Sequence, residues 1–389
     1  MDTPHVLLAI LIFLLFYSYL GYGMVLWLLT KIKRAITNHA ADVETTYLPE
    51  LTLVVAAYNE EDCIEEKIQN CLELDYPKDK MHMLFVTDGS TDRTVDIIAR
   101  YPQIQLEHKD QRAGKIAAVS RVMPLVKTPV TVFCDANTTL NDQAIKRLVR
   151  HFADEKVGAV AGEKRIAQDG KDDASSAGEG IYWKYESFLK SMDSELHTVV
   201  GAAGELFAIR TELYEPPSTD TLIEDFVITM NIAYQGYRVV YEKEAFALES
   251  GSSNLSEEIK RKVRIAAGGL QAIYRLRYLL VPTDPMLTFQ YVSHRVLRWT
   301  LAPLALLGVL ITSIHLTIAG DTLGTTLLLC QVLFYTVAAI GYMIEQRSIS
   351  IKILYVPLYF TMMNLCVFIG LWRLYTGSQS VVWDKAKRK

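Results

Sequence analysis

Hydrophobic and polar positions follow two regimes along these 389 residues. Charge-free apolar blocks occupy the two ends. Between them lie short apolar runs that stop abruptly at acidic or amide side chains. Leu51–Ala57 runs into Tyr58, Asn59, Glu60 and Glu61; the run around Phe85 ends in Asp88, Gly89, Ser90, Thr91 and Asp92; the run around Val132 ends in Asp135, Ala136 and Asn137. Short β-branched runs alternating with helical patterns predict buried parallel strands. Ligands of an open α/β sheet bind beyond the carboxyl ends of its strands, so Tyr58, Asp88 and Asp135 should share one crevice. Helical spacing recurs in Ile64, Ile68, Cys71 and Leu72, in Ala118 and Val122 behind Gly114 and Lys115, and in Ile145, Leu148, Val149 and Phe152. Asn59 is placed to cap a helix whose first turn is Glu60, Glu61 and Asp62, and Ser90 or Thr91 to cap the next. Residues 169–180, the only low-complexity piece, read as a mobile loop.

Residues 6–29 contain no charge. At 1.5 Å per residue they cover about 36 Å, enough to cross a hydrocarbon layer of about 30 Å. Lys31, Lys33 and Arg34 follow, the reverse of a signal peptide's charge order, which predicts an uncleaved anchor with the next domain in the cytoplasm. Apolar stretches return at 299–318, 323–344 and 353–372. Arg295 and Arg298 should then lie at the membrane interface, and Tyr291, Trp299, Trp372 and Tyr375 should form interfacial belts. The last stretch contains Pro357 and Asn364. If it crossed, the basic residues Lys385, Lys387, Arg388 and Lys389 would lie outside, so it reads as re-entrant or interfacial.

Composition sharpens this outline. Half the residues are hydrophobic and the mean hydropathy is +0.16, with the excess at the two ends. A net charge of −4 supplies no basic field for nucleic acid. Five cysteines without a C-x-x-C pair indicate neither a disulfide framework nor a zinc site. The expected organisation is an anchor over 1–36, a cytoplasmic domain over 37–250, interfacial amphipathic helices over 251–298, membrane helices over 299–375 and a basic tail over 376–389.

The strand-end groups carry the candidate chemistry. Asp135 and Asn137 fall on one side of an extended segment, and their oxygens suit a hard cation such as Mg²⁺ or Mn²⁺. An Asp/Asn turn after a strand has the same spelling. Lys115 at a helix start could meet a phosphate or simply face solvent. Glu224 and Asp225 open a helix bearing Phe226, Ile228, Met230 and Ala233, where acids are favoured with or without a catalytic role.

The order of these motifs resembles the signatures of family-2 glycosyltransferases with the GT-A fold. The resemblance runs through Val54 to Glu60, Asp88 to Asp92, Gly114-Lys115, Asp135-Ala136-Asn137, Gly201-Ala202-Ala203-Gly204 and Ile223-Glu224-Asp225. With the apolar ends it looks like the membrane-bound synthases of that family, of the cellulose, hyaluronan or poly-N-acetylglucosamine type. It implies an α/β, Rossmann-like domain flanked by transmembrane helices in the cell's inner or plasma membrane. It also implies a nucleotide-sugar donor, most often UDP-linked, a Mg²⁺ or Mn²⁺ ion, and a glycan or lipid-linked acceptor.

Residue by residue, the resemblance places the donor at Ala57, Tyr58, Glu60, Asp88, Gly89, Ser90, Lys115, Asp135 and Ala136. Asp135 and Asn137 would hold the metal, although many relatives have a second Asp where Asn137 stands. Gly201, Ala202, Ala203 and Gly204 would floor the acceptor site. Asp225 would be the general base beside Glu224, which could raise its pKa or orient the loop. Polymerising relatives carry Gln-x-x-Arg-Trp further on; here Arg261 replaces Gln, Arg264 matches and Ile265 replaces Trp. Arg261 and Arg264 could meet the donor diphosphate, or join Lys260 and Lys262 as a basic membrane-surface face. The implied activity is inverting transfer that extends a glycan, with export of the product as it is made. The alternatives are transfer of one sugar to a lipid-linked acceptor, which the missing Trp favours, and a silent donor-binding subunit. Membrane lipids and accessory synthase subunits complete the implied partners.

Overall fold

The computed structural model describes residues 2–37, 47–167, 174–251, 254–345, 352–380 and 382. Helix α1 (Thr3–Phe16) passes through a π-helical turn at Tyr17–Gly21 into α2 (Tyr22–Ile36), forming one continuous 34-residue rod. Then come β1 (Leu51–Ala57), α3 (Ile64–Glu73), β2 (Met81–Asp88), α4 (Thr94–Ile98), β3 (Ile104–Lys109), α5 (Lys115–Val122), β4 (Val130–Asp135), β5 (Thr138–Leu140) and α6 (Ala144–Val149). The domain continues with β6 (Val157–Ile166), α7 (Ala174–Leu196), β7 (Leu206–Arg210), α8 (Glu224–Tyr234), β8 (Arg238–Glu249) and α9 (Leu255–Arg275). It leads through α10 (Pro285–Tyr291), a π-helical turn at Val292–Val296 and α11 (Leu297–Trp299) to α12 (Leu301–Ile318), α13 (Thr322–Glu345) and α14 (Lys352–Tyr375).

One mixed eight-stranded sheet organises the domain, in the order β3-β2-β1-β4-β7-β6-β8-β5. The three expected strands β1, β2 and β4 pair in parallel, and the register sets Ala56 beside Asp135 and Ala57 beside Thr87. Their carboxyl ends therefore reach the same edge. The faces separate by alternation. Leu51, Leu53 and Val55 pack with Ile64, Ile68, Ile145 and Leu148 on one side; Val54 packs with Ala118, Val119, Val122 and Phe226 on the other.

The loops depart from the capping expected of them. Asn59 takes a left-handed φ of 52° and begins no helix. Its side chain accepts from the Thr91 amide at 2.8 Å, while its own amide donates to Ser90 Oγ at 3.2 Å. Asp92, rather than Ser90 or Thr91, accepts from the Thr94 amide at the start of α4, at 3.0 Å. These side chains tie two strand-end loops together, a long-range partnership that outcompetes local capping. The low-complexity stretch also differs from expectation: 174–180 belong to α7, and 169–173 lie outside the described residues.

Among the described residues, four helices are long and apolar enough to cross a membrane: Thr3–Ile36, Leu301–Ile318, Thr322–Glu345 and Ile353–Tyr375. The last is one unbroken helix with Pro357 inside, so the re-entrant form is not taken. Of the four aromatic residues expected in interfacial belts, two pack inside the protein. Trp372 and Tyr375 are exposed, but Tyr291 is fully buried against Phe226, and Trp299 packs edge-on to Phe226 at 5.4 Å. The basic tail 385–389 lies outside the described residues.

Arg295 and Arg298 also turn inward, because α7 supplies a buried carboxylate to meet them. Glu186 pairs with Arg295 at 2.6 Å, Arg298 at 3.2 Å and His294 at 3.2 Å. Burial opposes ionisation of Glu186, but the cationic neighbours outweigh it and hold its carboxyl well below the ordinary value. Asp193, two turns further along the same face of α7, accepts from the hydroxyl of Tyr22 and from Gln290 Nε2 at 3.0 Å, and meets His294 at 2.5 Å. The rod, the domain and the approach to α12 are thus joined through two buried acids. Glu186→Ala would strand two guanidinium groups away from water, a cost of about 3–5 kcal/mol. A marked fall in the thermal midpoint of the purified protein is expected; Asp75→Ala, in an exposed pair with Lys146, should leave it nearly unchanged.

Candidate active site

Asp88, Lys115, Asp135, Gly204, Glu224 and Asp225 form a connected group at the carboxyl edge of the sheet. Asp88 ends β2, and its Oδ2 accepts the amides of Ala113 at 2.8 Å and Gly114 at 2.6 Å. Gly89 and Gly114 both take left-handed φ, of 70° and 96°, and a methyl on Gly89 would lie 2.7 Å from Arg112 Cβ. This tight loop starts α5 at Lys115 and points its ammonium back to the sheet. Asp88 Oδ1 is buried without a hydrogen-bond partner among the described residues. Arg112 stacks on the Tyr58 ring at 3.6 Å, covering the same loop.

Lys115 is the hub. Its Nζ contacts Asp135 Oδ1 at 2.6 Å and Glu224 Oε1 at 3.2 Å. Burial works against the ammonium, but the Asp135 and Glu224 carboxylates outweigh it and raise its pKa. For Asp135, burial outweighs the Lys115 ion pair, with Glu205 adding repulsion, and its pKa is raised. Glu224 goes the other way: burial is overcome by Lys115 and Arg264, and its pKa falls.

Asp225 occupies the first turn of α8. Burial, then the neighbouring Glu224 charge, lift its pKa from 3.8 to about 7. A methyl on Gly204 would sit 3.5 Å from Lys115 Nζ and 3.6 Å from Asp225 Cγ, so bare backbone faces both groups. Gly201 does a different job: its φ is 86°, and a side chain there would collide with Phe226. The Ala202 amide donates to Thr229 Oγ1 at 3.2 Å and Ala203 accepts from the Leu206 amide at 3.2 Å, fixing the loop.

Other sequence-selected residues sit around this group. Ala57 and Ala136 are buried in the core, leaving backbone as their route to a ligand. The Glu60 amide donates to Thr94 Oγ1 at 2.8 Å. Arg264 lies within electrostatic reach of Glu224, whereas Arg261 bonds Glu258 at 3.1 Å and Glu249 at 3.4 Å. Lys262 is only 4% exposed, so the four basic residues of α9 do not make one solvent-facing surface. Asn137 lies two residues beyond Asp135, past Ala136. Among the described residues no three His, Cys, Asp or Glu side chains gather as a cation site. A Mg²⁺-type ion commonly takes one or two carboxylates and completes its shell with substrate phosphates and water, and Asp135 fits that role.

Sequence reasoning missed Glu205, Lys164 and Glu249. Lys164 is buried and pairs with both acids. Burial opposes ionisation of Glu205, but Lys164 overcomes it and lowers the pKa. Glu205 in turn lies close enough to Asp135 and Asp225 to raise both. Its only signal was its place directly after Gly204.

Residues 52–216 match the model of glycosyl transferase family 2. A mannosyltransferase from Pyrobaculum calidifontis, solved with GDP-Man and Mn²⁺, superposes with a TM-score of 0.73 at 23% identity, covering 96% of this chain and 100% of that one. Residues 52–216 thus lie in a domain similar to family-2 glycosyltransferases, and the chain has the GT-A fold of that solved structure, with apolar helices flanking the domain. Among curated relatives, it is similar to poly-beta-1,6-N-acetyl-D-glucosamine synthase of Staphylococcus aureus (strain MSSA476), 27% identical over 281 residues, 68% of this chain and 66% of the relative. It is also similar to beta-monoglucosyldiacylglycerol synthase of Synechocystis sp., 27% identical over 258 residues, 63% of this chain and 53% of the relative. The matched region therefore falls just short of two thirds of the first relative's length.

The Asp225 environment makes two pH-dependent outcomes testable. If Asp225 must be ionised to act, kcat/KM should fall about tenfold per pH unit below the pKa near 7. Because the folded pKa lies above the unfolded one, the stability from its bound proton is complete below pH 3.8 and is lost as pH rises through about 7. Asp225→Asn should therefore melt higher than the parent at pH 8, with a smaller difference at pH 5. An unchanged or lower midpoint at pH 8 would contradict the assigned environment.

Proposed function

We propose that this chain is an integral-membrane, inverting glycosyltransferase that takes a nucleotide-sugar, UDP-linked, and transfers its sugar to a growing glycan. The observation that carries the reading is Asp225: a half-buried carboxylate whose pKa desolvation and the Glu224 charge lift to about 7, facing a bare glycine backbone and the Lys115 ammonium. A general base is most useful when its pKa lies near the working pH. Asp225 would take the proton of the acceptor hydroxyl as that oxygen bonds the anomeric carbon. The bond from that carbon to the diphosphate oxygen breaks, and the nucleoside diphosphate leaves with the electron pair. Attack opposite the leaving group inverts the anomeric configuration.

The remaining residues divide between holding the donor and stabilising its departure. The orphaned Asp88 Oδ1 is an acceptor suited to a nucleobase N–H or ribose hydroxyl, beside Tyr58, Gly89 and Ser90. Lys115 and Arg264 would face the charge that develops on the diphosphate. Asp135, with Asn137, would hold a divalent cation, which supplies charge neutralisation at the diphosphate when bound. Residues 37–250 form the catalytic unit in this reading, and the basic last turn of α2, with Lys33 and Arg34, supports a cytoplasmic location for it.

A second reading, transfer of one sugar to a lipid-linked acceptor, is favoured by Ile265 standing where polymerising relatives carry Trp. The two are separated by sizing the products formed by the full chain in nanodiscs, given labelled UDP- and GDP-sugars with Mg²⁺, Mn²⁺ or chelator. Long polymer from one UDP-sugar is the expected product; short products requiring added lipid acceptor establish the second reading. Asp225→Asn should lower kcat by about 10²–10⁴-fold while donor binding by calorimetry survives. Asp135→Ala should weaken donor binding most in the presence of Mn²⁺. Full turnover by Asp225→Asn would overturn the assignment of the base.

A further inference from the structure

By length and hydropathy α14 counts as a fourth membrane-crossing helix. Its contacts place it differently. The far end of the membrane bundle, away from the catalytic domain, is marked by His5 of α1, which meets Asp321 between α12 and α13 at 3.2 Å. The near end is marked by Arg298, which donates to the Ser18 carbonyl at 3.0 Å, just before α12 begins. The contacts that place its first turn, Asn364 and Gly370 belong to the near end, while Phe360 meets Phe334, halfway along α13, at 5.8 Å. A methyl on Gly341, in the last turns of α13, would lie 3.0 Å from the Leu354 carbonyl. Asn364 accepts from Tyr19 Oη at 2.6 Å, one residue beyond Ser18. A methyl on Gly370 would lie 2.8 Å from the Ala267 amide nitrogen of α9, and Gly269, half a turn on, touches Trp299.

From Leu354 to Gly370 a helix advances by about 24 Å, most of a hydrocarbon layer of about 30 Å. Had α14 risen through the bilayer, Gly370 would sit near His5 and Asp321. Instead it rests on a helix of the catalytic domain, and only Leu371 to Tyr375 remain beyond it. One side of α14, including Leu358, Tyr359, Met362 and Cys366, packs with Val263 and Ala266 of α9. The residues left exposed are apolar: Ile353, Val356, Leu365, Ile369 and Trp372.

We propose that α14 does not cross the membrane but lies along its surface on the side of the catalytic domain, with its exposed apolar residues in the lipid. The occupant of that face is the bilayer, because α12 and α13, which α14 touches, also expose apolar residues, Ile311 and Leu333 among them. Three helices then cross rather than four, and the chain after α14 stays on the catalytic side. This agrees with the basic residues Lys385, Lys387, Arg388 and Lys389. The arrangement makes α9 a buried layer, with the active-site residue Arg264 on a helix whose other side is covered by α14.

The test is sidedness of the full chain in sealed membrane vesicles of known orientation, using a membrane-impermeant maleimide on single introduced cysteines. Labelling of the parent, with its native cysteines, is subtracted. Asp79→Cys reports the catalytic side and Ala319→Cys the opposite side, both at exposed positions. Ser378→Cys reports the end of α14, with Ser380→Cys as its duplicate, and permeabilised vesicles show that each position can react. The expected result is Ser378→Cys labelled together with Asp79→Cys. Labelling together with Ala319→Cys would show that α14 crosses and would overturn the proposal. The readout does not depend on sugar transfer, so failure of the catalytic reading leaves it intact.

Discussion

Desolvated charge is the constraint on which the rest of this structure depends. Lys115 is held by Asp135 and Glu224 at the sheet edge, where the same burial pushes the neighbouring Asp225 toward neutrality. An ammonium with two carboxylates satisfies itself at the expense of a third. The sheet exists, in this view, to bring β4, α5 and α8 to one point with their backbones fixed. Asp88 contributes by capping the amides that launch α5, and Gly204 by leaving room where three side chains converge.

The same physics recurs where the domain meets the membrane helices. Glu186 and Asp193 on α7 are buried acids, and each is answered by groups from different parts of the chain. Breaking such a cluster is costly because the remaining charges cannot return to water. The consequence is a rod, α1 and α2, whose second half is part of the domain rather than a flexible tether. Phe226, next to the proposed base, packs against Tyr291 and Trp299 on the way to α12. The position of Asp225 is therefore set relative to the membrane by aromatic packing.

Much of this was legible in the chain itself. Parallel strands were readable from β-branched runs ending in acids, because alternation and burial on both faces are local properties of the sequence. The convergence of Asp88 and Asp135 followed from strand polarity alone; Lys115 was marked by its place at a helix start, and Asp225 by the resemblance to family-2 glycosyltransferases. Membrane-length segments were equally plain, since apolar length is written directly in composition.

Tertiary structure decided what partners each polar group would find. Asn59 and Ser90 looked like caps but bond each other across two loops, because parallel pairing of β1 and β2 brings these strand ends, 31 residues apart in the chain, side by side. Arg295 and Arg298 looked interfacial but are neutralised by Glu186, whose approach no local spacing reveals. Glu205 and Lys164 join the site only through sheet pairing of β6, β7 and β8. For α14, composition established that it is apolar and long enough to cross, while its direction depended on what it packs against. The sequence by itself determined which segments fold and which side chains can carry charge. Which charges meet, and therefore which titrate near neutral pH, depended on distances that only the assembled sheet and helices set.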